Sequence, residues 1–148
     1  MNTFTLTEMI QGLLHPSNKN RAAKSVEFFG YIMLAESLAI LFVPQLVAAL
    51  LQLDPLSAQS ATYFRIGGLL IGGLGLLYVI SGRLNANGFI FASMIDRPLV
   101  PPTMALLWTL DIVPGTLAIA FSTLDFGTFL WTFFAWRADL RERAGGAV

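Results

Sequence analysis

The chain has 148 residues, of which none is cysteine and one is histidine. The absence of cysteine excludes disulfides, thiolate metal sites and dithiol redox chemistry. The single histidine, His15, leaves too few ligands for a haem or zinc site built on histidines, unless several copies of the chain assemble. We therefore expect no cofactor and no bound metal ion.

Charge is also scarce, because charged residues make up 12% of the chain and hydrophobic residues 55%. Soluble domains carry about 25% charged residues, so this chain has roughly half the usual solubilising charge. The nine basic and nine acidic residues cancel, and no basic stripe points to a nucleic-acid partner. Together with a mean hydropathy of +0.68, this composition predicts a polytopic membrane protein surrounded by lipids.

Several sequence motifs of known chemistry are missing. The chain contains no P-loop, no GxGxxG after a strand, no HExxH, no GxSxG and no carboxylate–histidine spacing for a di-iron site. Phosphoryl transfer, metalloprotease and di-iron oxygenase activities therefore have no support. The first apolar run is too long for a signal peptide and no small-residue cleavage site follows it, so we expect none to be removed.

Long apolar segments are what the sequence does contain. A helix needs about 20 residues to cross a hydrocarbon core of about 30 Å. Four segments meet or approach this length, and we place the spans at about 26–51, 61–81, 99–121 and 124–140. The last is short and reaches across only if Arg137 and Arg141 extend to the membrane surface. The predicted fold is all-α: one integral membrane domain, an antiparallel four-helix bundle.

The distribution of basic residues tests this count of spans. Lysine and arginine occur before the first span, between the second and third, and after the fourth, but not in the other two loops. Basic residues thus alternate between the two sides, as four spans require. The positive-inside rule then places both termini in the cytoplasm.

The segment TLTEMIQGLLHP predicts a short amphipathic helix over residues 5–15. Its apolar residues fall on one helical face, Thr5 and Glu8 fit a capping box, and Pro16 ends the helix. We expect this helix to lie on the cytoplasmic surface of the membrane. The alternative is a cytoplasmic helix packed on a partner subunit.

Two carboxyl groups lie inside the predicted spans and are the candidate catalytic residues. Helical rise places Glu36 about 15 Å and Asp111 about 18 Å from the cytoplasmic side, so the two could share one depth. A facing pair would have widely separated pKa values and could supply one acid and one base. Alternatively, each is a protonated acid that donates a hydrogen bond to a backbone carbonyl or a hydroxyl, or that contacts a partner subunit; for Asp111 the carbonyl that Pro114 leaves without a donor is such an acceptor.

A candidate ligand site extends along the second span. Arg65 begins a helical face of small residues that includes Gly68 and Gly72, which suits close helix contact. We predict an ion pair between Arg65 and Asp125 at the outer end of the bundle, with an anionic-ligand site as the alternative.

Two aromatic residues complete the candidate ligand-binding set. Trp108 is deep enough in its predicted span to line a pocket, and Tyr78 lies on the glycine-rich second span. Aromatic residues in spans more often pack or face lipid than bind cofactors.

The stretch YFRIGGLLIGGLGLLYVISGR resembles the second helix of DoxX-like small membrane proteins, in which an arginine precedes a glycine-rich span. The segments FASMIDRPLVPP and LDFGTFLWTFFAW are similar to parts of uncharacterised bacterial four-helix membrane proteins. The resemblance implies a four-helix bundle in the bacterial inner membrane, often an accessory protein beside redox or catabolic enzymes. It transfers no catalytic residues, and the lack of cysteine departs from relatives with thiol–disulfide links.

Three functions are compatible with these features. The first is an accessory subunit or binder of an apolar small molecule, alone, as a homo-oligomer or in a larger membrane complex. The second is a membrane-embedded isomerase or cyclase that uses Glu36 and Asp111 on a lipophilic substrate. Proton-coupled transport is the third, although four spans without a repeat offer no evident alternating-access machinery.

Overall fold

The computed structural model describes residues 5–16 and 18–145, which form helices and no strand. The helices are α1 (Leu6–Leu14), α2 (Arg21–Phe42), α3 (Pro44–Leu50), α4 (Ala58–Arg83), α5 (Asn87–Asp96), α6 (Val100–Thr109) and α7 (Gly115–Gly145), with a 3-10 turn at Arg97–Leu99 between α5 and α6. The predicted all-helical class is confirmed for this part of the chain.

Three helices within the described residues, α2, α4 and α7, are long and apolar enough to cross a membrane. Large apolar side chains are exposed along them, among them Leu38, Leu69, Leu70 and Phe134. A protein in water would bury many of these groups, whereas lipid solvates them. Length, composition and exposure together indicate a membrane protein.

The last two predicted spans differ from the helices in the structure. The segment predicted as 99–121 is interrupted after α6 at residues 110–114, and the predicted loop near 121–124 lies inside the continuous helix α7. The interruption falls where Asp111 has a left-handed backbone (φ 54°) and Pro114 has no amide proton to continue a helix. The chain reverses there, so that α6 and α7 pack against each other.

The stretch of residues 87–109 is helical with only a slight interruption. Asp96, Arg97 and Val100 keep right-handed helical backbone angles through the 3-10 turn that joins α5 to α6. At 1.5 Å per residue this stretch is about 34 Å long, comparable with the thickness of a hydrocarbon core.

Helices α2 and α4 form the closest pair, and glycine makes their approach possible. A Cβ atom at Gly30 would lie 2.7 Å from the Val79 nitrogen and 2.8 Å from the Gly75 oxygen. The small-residue face predicted on the second span is confirmed, since Gly68, Gly72, Gly75, Val79 and Gly82 are all buried. Gly68 and Gly72 face Ile40 and Ser37 of α2.

The carboxylate of Asp139 joins the end of α7 to the start of α2. Its oxygens accept hydrogen bonds from the backbone amides of Arg21 (3.2 Å) and Ala22 (3.1 Å). These amides have no partner within α2, and the positive end of the helix dipole favours a negative group at this position.

Arg83 holds α1 against the C-terminal end of α4. Its Nε donates to the Leu13 carbonyl at 2.6 Å, and its Nη1 lies 3.9 Å from the buried Glu27 carboxylate, which also pairs with Lys19. The predicted capping box of α1 is present between Thr5 and Glu8.

Candidate functional site

A cavity of about 310 Å³ lies between α2, α3, α4 and α7. Its wall is almost wholly aliphatic and aromatic: Ala39, Ile40, Val47, Leu50, Leu51, Phe64, Gly67, Gly68, Ile71, Leu117, Ala120, Phe121 and Leu124. This volume is at the lower end of the range for small-molecule sites. The cavity can hold a small apolar molecule.

The exception in this wall is Glu36, the one ionisable side chain among the lining residues. Within residues 5–16 and 18–145 its carboxyl group makes neither a side-chain hydrogen bond nor an ion pair. Glu36 therefore lines the cavity and has no hydrogen-bond or ion-pair partner among the described residues. The prediction that Glu36 faces a pocket agrees with this placement.

Asp125 of α7 is a second carboxyl near the cavity. It follows the lining residue Leu124 in the chain but does not itself line the cavity. Glu36 is thus the one carboxyl of the wall, and Asp125 lies one position beyond Leu124 on α7.

Arg97 is the largest fully buried side chain of the described residues, with 1% of its surface exposed. Its guanidinium carbon lies 4.1 Å from the centre of the Phe29 ring and 5.0 Å from that of Tyr78. One nitrogen, Nη1, donates to the Thr132 hydroxyl at 3.2 Å, while Nε and Nη2 have no partner. The two aromatic faces stabilise this charge in place of a carboxylate.

Tyr78 belongs to this aromatic cluster and not to the cavity. Its ring meets Phe29 and Phe89 edge to face, at centroid distances of 5.2 and 4.8 Å. This candidate ligand-binding residue therefore lies beside Arg97 and does not line the cavity.

Arg65 and Asp125, predicted as an ion pair, do not pair in the structure. The Arg65 side chain is exposed, and its Nε donates to the Leu41 carbonyl at 3.0 Å. Its guanidinium thereby satisfies the end of α2, where carbonyl groups lack helical partners. Of the predicted glycines, Gly68 lines the cavity, whereas Gly72 only packs against Ser37.

Asp111 and Trp108 lie at the reversal between α6 and α7. Both are exposed, and neither lines the cavity. The depth that helical rise assigned to Asp111 assumed an unbroken span, and the break at residues 110–114 removes that assumption. The structure therefore does not bring Asp111 to the cavity beside Glu36.

Comparison with protein-family models, with curated proteins and with solved structures found no match. The resemblance to DoxX-like proteins therefore stays a prediction. The chemistry of the site must be argued from its own residues.

Sequence reasoning missed the role of Arg97. The triplet Asp96-Arg97-Pro98 reads as a solvated turn at the membrane surface, since charge is inexpensive there. Burial of Arg97 depends on rings contributed by α2 and α4, which no local pattern around residue 97 reveals. The prolines at 98 and 101 mark the starts of the 3-10 turn and of α6, and they give no sign that Arg97 is buried.

The chemistry open to the site is limited. Within the described residues no group of three or more histidine, aspartate or glutamate side chains could hold a metal ion. The site offers a partly open apolar cavity, one carboxyl group without a partner among the described residues, and a second carboxyl at the next position after the lining residue Leu124. These groups suit binding and proton exchange.

Proposed function

We propose that this protein binds an apolar small molecule within the membrane, in the cavity between α2, α3, α4 and α7. The observation that carries the proposal is the lining, in which thirteen apolar or glycine residues surround one carboxyl group. An empty apolar space of this size forfeits many dispersion contacts, which a ligand of matching shape restores. An accessory role in a larger membrane complex is compatible with this binding.

We also propose a four-crossing topology with both termini in the cytoplasm. The crossings are α2, α4, the helical stretch 87–109 and α7. Support comes from charge, because Lys19, Arg83 and Arg143 then lie on one side, as the positive-inside rule requires. The reversal at Asp111 and the loop after α3 lie on the other side.

The enzyme alternative of the sequence analysis receives no support from Asp111, which is exposed at the α6–α7 reversal. The proposal therefore rests on binding and not on acid–base chemistry.

Methyl NMR of isoleucine-labelled protein in nanodiscs tests the binding proposal, with tert-butylbenzene as the probe. The methyl groups of Ile40 and Ile71 line the cavity, whereas those of Ile112 and Ile119 are exposed and serve as references. We expect saturable shifts at the first pair only. Shifts of equal size at both pairs, or none at all, contradict the proposal.

A pair of substitutions on adjacent residues separates the cavity from the protein surface. Ala120→Phe places a ring in the cavity and should abolish the shifts, whereas Ile119→Phe faces outward and should preserve them. Mass spectrometry of the mildly purified protein gives a second readout, since an apolar molecule that co-purifies with wild type should be lost only from Ala120→Phe.

A further inference from the structure

We propose that the cavity selects lipophilic cations, that is, apolar molecules that carry one positive charge such as a quaternary ammonium or protonated amine. This inference rests on the proposed binding function and deepens it by naming the chemical class of the ligand. The feature behind it is a partly open apolar cavity whose one ionisable wall group is the carboxyl of Glu36, which has no partner among the described residues.

No basic side chain of the described residues neutralises Glu36. On α4, Arg65 is turned to the Leu41 carbonyl. Arg97 is held between the rings of Phe29 and Tyr78 and bonded to a hydroxyl of α7. Helix α3 carries no charged residue. The cationic position opposite Glu36 is therefore open to a ligand.

A second carboxyl lies close to the wall of the cavity. Asp125 follows the lining residue Leu124 on α7. An anionic ligand would find no counter-ion in the wall, whereas a cation is attracted by the carboxylate form of Glu36. The charged groups at the cavity therefore favour a cation over an anion.

The aromatic residues of the wall favour the same class. Phe64 and Phe121 line the cavity beside the aliphatic groups. The negative face of an aromatic ring attracts a quaternary ammonium while its hydrocarbon surface packs against the substituents. The wall thus combines a counter-ion with surfaces that tolerate an apolar cation.

Binding of such a cation is coupled to a proton. A carboxyl without a cation at this depth holds its proton, because a lone charge in hydrocarbon is unstable. The exchange is balanced: the protonated carboxyl and the free cation become the carboxylate–cation pair and one released proton. Affinity for the cation should therefore rise with pH.

The test compares phenyltrimethylammonium with tert-butylbenzene, which have the same shape and differ by a charged nitrogen in place of a carbon. Both are titrated against wild type and Glu36→Gln in nanodiscs, with the Ile40 and Ile71 methyl shifts as the readout. The ratio of wild-type to variant affinity is taken for each probe, so that partitioning into lipid cancels.

We expect Glu36→Gln to lower the affinity for the cation by about tenfold or more and to change the affinity for the neutral probe by less than about twofold. Wild-type affinity for the cation should rise between about pH 5 and about pH 9, and this dependence should vanish in the variant. Glu142→Gln, which alters an exposed carboxyl on α7, is the matched control and should leave the affinity for both probes unchanged.

The outcomes separate this inference from the proposed function. Binding of the neutral probe to Glu36→Gln shows that the variant folds. If the cation then binds wild type and variant equally, or does not bind, the cation inference is wrong and the cavity function stands. If neither probe shifts the Ile40 and Ile71 methyl groups of wild type, the proposed function itself is wrong.

Discussion

The contact between α2 and α4 at Gly30 makes the energetics of the fold testable with one methyl group. In Gly30→Ala the new Cβ would lie 2.7 Å from the Val79 nitrogen and 2.8 Å from the Gly75 oxygen. Both are backbone atoms, so no side-chain rotation can relieve the overlap. The helices must separate by about 0.7 Å to reach ordinary van der Waals contact.

A gap of this size forfeits about a quarter to a half of each dispersion contact across the interface. Overpacking of a well-packed interior costs about 1–3 kcal/mol, and we expect Gly30→Ala to lower the free energy of unfolding by that amount. The loss should appear even though alanine in mid-helix is favoured over glycine by about 0.5–1 kcal/mol.

Gly73→Ala is the matched control, because a Cβ there meets nothing within 4 Å. Alanine at this position has the higher helix propensity without any steric overlap, so Gly73→Ala should raise the free energy of unfolding slightly. Unfolding by SDS in mixed micelles, followed by tryptophan fluorescence, measures both variants. Equal stability of the two would refute the close α2–α4 contact.

Gly72→Ala provides an intermediate case on the same helix. Its Cβ would overlap the hydroxyl of Ser37, a side-chain group that can rotate away. We expect a smaller loss than at Gly30, and Ser37→Ala in the same chain should recover most of it. A double-mutant cycle with the same unfolding assay measures this coupling.

Three further predictions concern the ends of the helices. Asp139→Asn removes a charged cap from two amides of α2 and should lower the free energy of unfolding by about 1–2 kcal/mol in the same assay, whereas Glu142→Gln, an exposed pair partner, should cost less than about 1 kcal/mol. Hydrogen bonding to the backbone amide and then the side chain of Thr5 lowers the pKa of Glu8 below its ordinary 4.5. The cap therefore stabilises α1 at pH values above 4.5 and loses this effect as the pH falls through the lower pKa of the folded state. Amide NMR shifts of α1 should report this change. Shifts that stay constant over this pH range contradict the cap. Since the chain has no cysteine, Asp54→Cys should be labelled from outside intact cells and Asn87→Cys only after permeabilisation; the reverse pattern overturns the proposed topology.

Local signals predicted the parts of the fold that depend on local chemistry. The capping box at Thr5 and the glycine face at Gly68 and Gly72 are properties of single helices, and both are present. Hydropathy also identified α2 and α4, although each begins a few residues before the predicted span. Polar residues at the helix ends continue the helix beyond the hydrocarbon, which an apolar window does not detect. The first span, predicted to run to residue 51, is broken at Val43 into α2 and the short helix α3, because Val43 leaves the helical conformation before Pro44.

The remaining structure depends on contacts between distant residues. Hydropathy runs without a break through residues 99–121, so it could not locate the reversal at Asp111, which a backbone conformation determines. It also placed a loop before Asp125, although α7 continues there. The sequence predicted a pocket at Glu36, and Glu36 lines the cavity, whereas Asp111, predicted to face it, lies at the α6–α7 reversal.

The cap that Asp139 places on α2 has a consequence for the order in which the protein matures. The first residue of α2 is synthesised well before the cap of this helix, since Arg21 and Asp139 are 118 positions apart. During that interval the two leading amides of α2 must be hydrated. The hydrogen bonds between the start of α2 and Asp139 of α7 therefore form only after residue 139 has been synthesised. A nascent chain that ends before α7 lacks the carboxylate that accepts them.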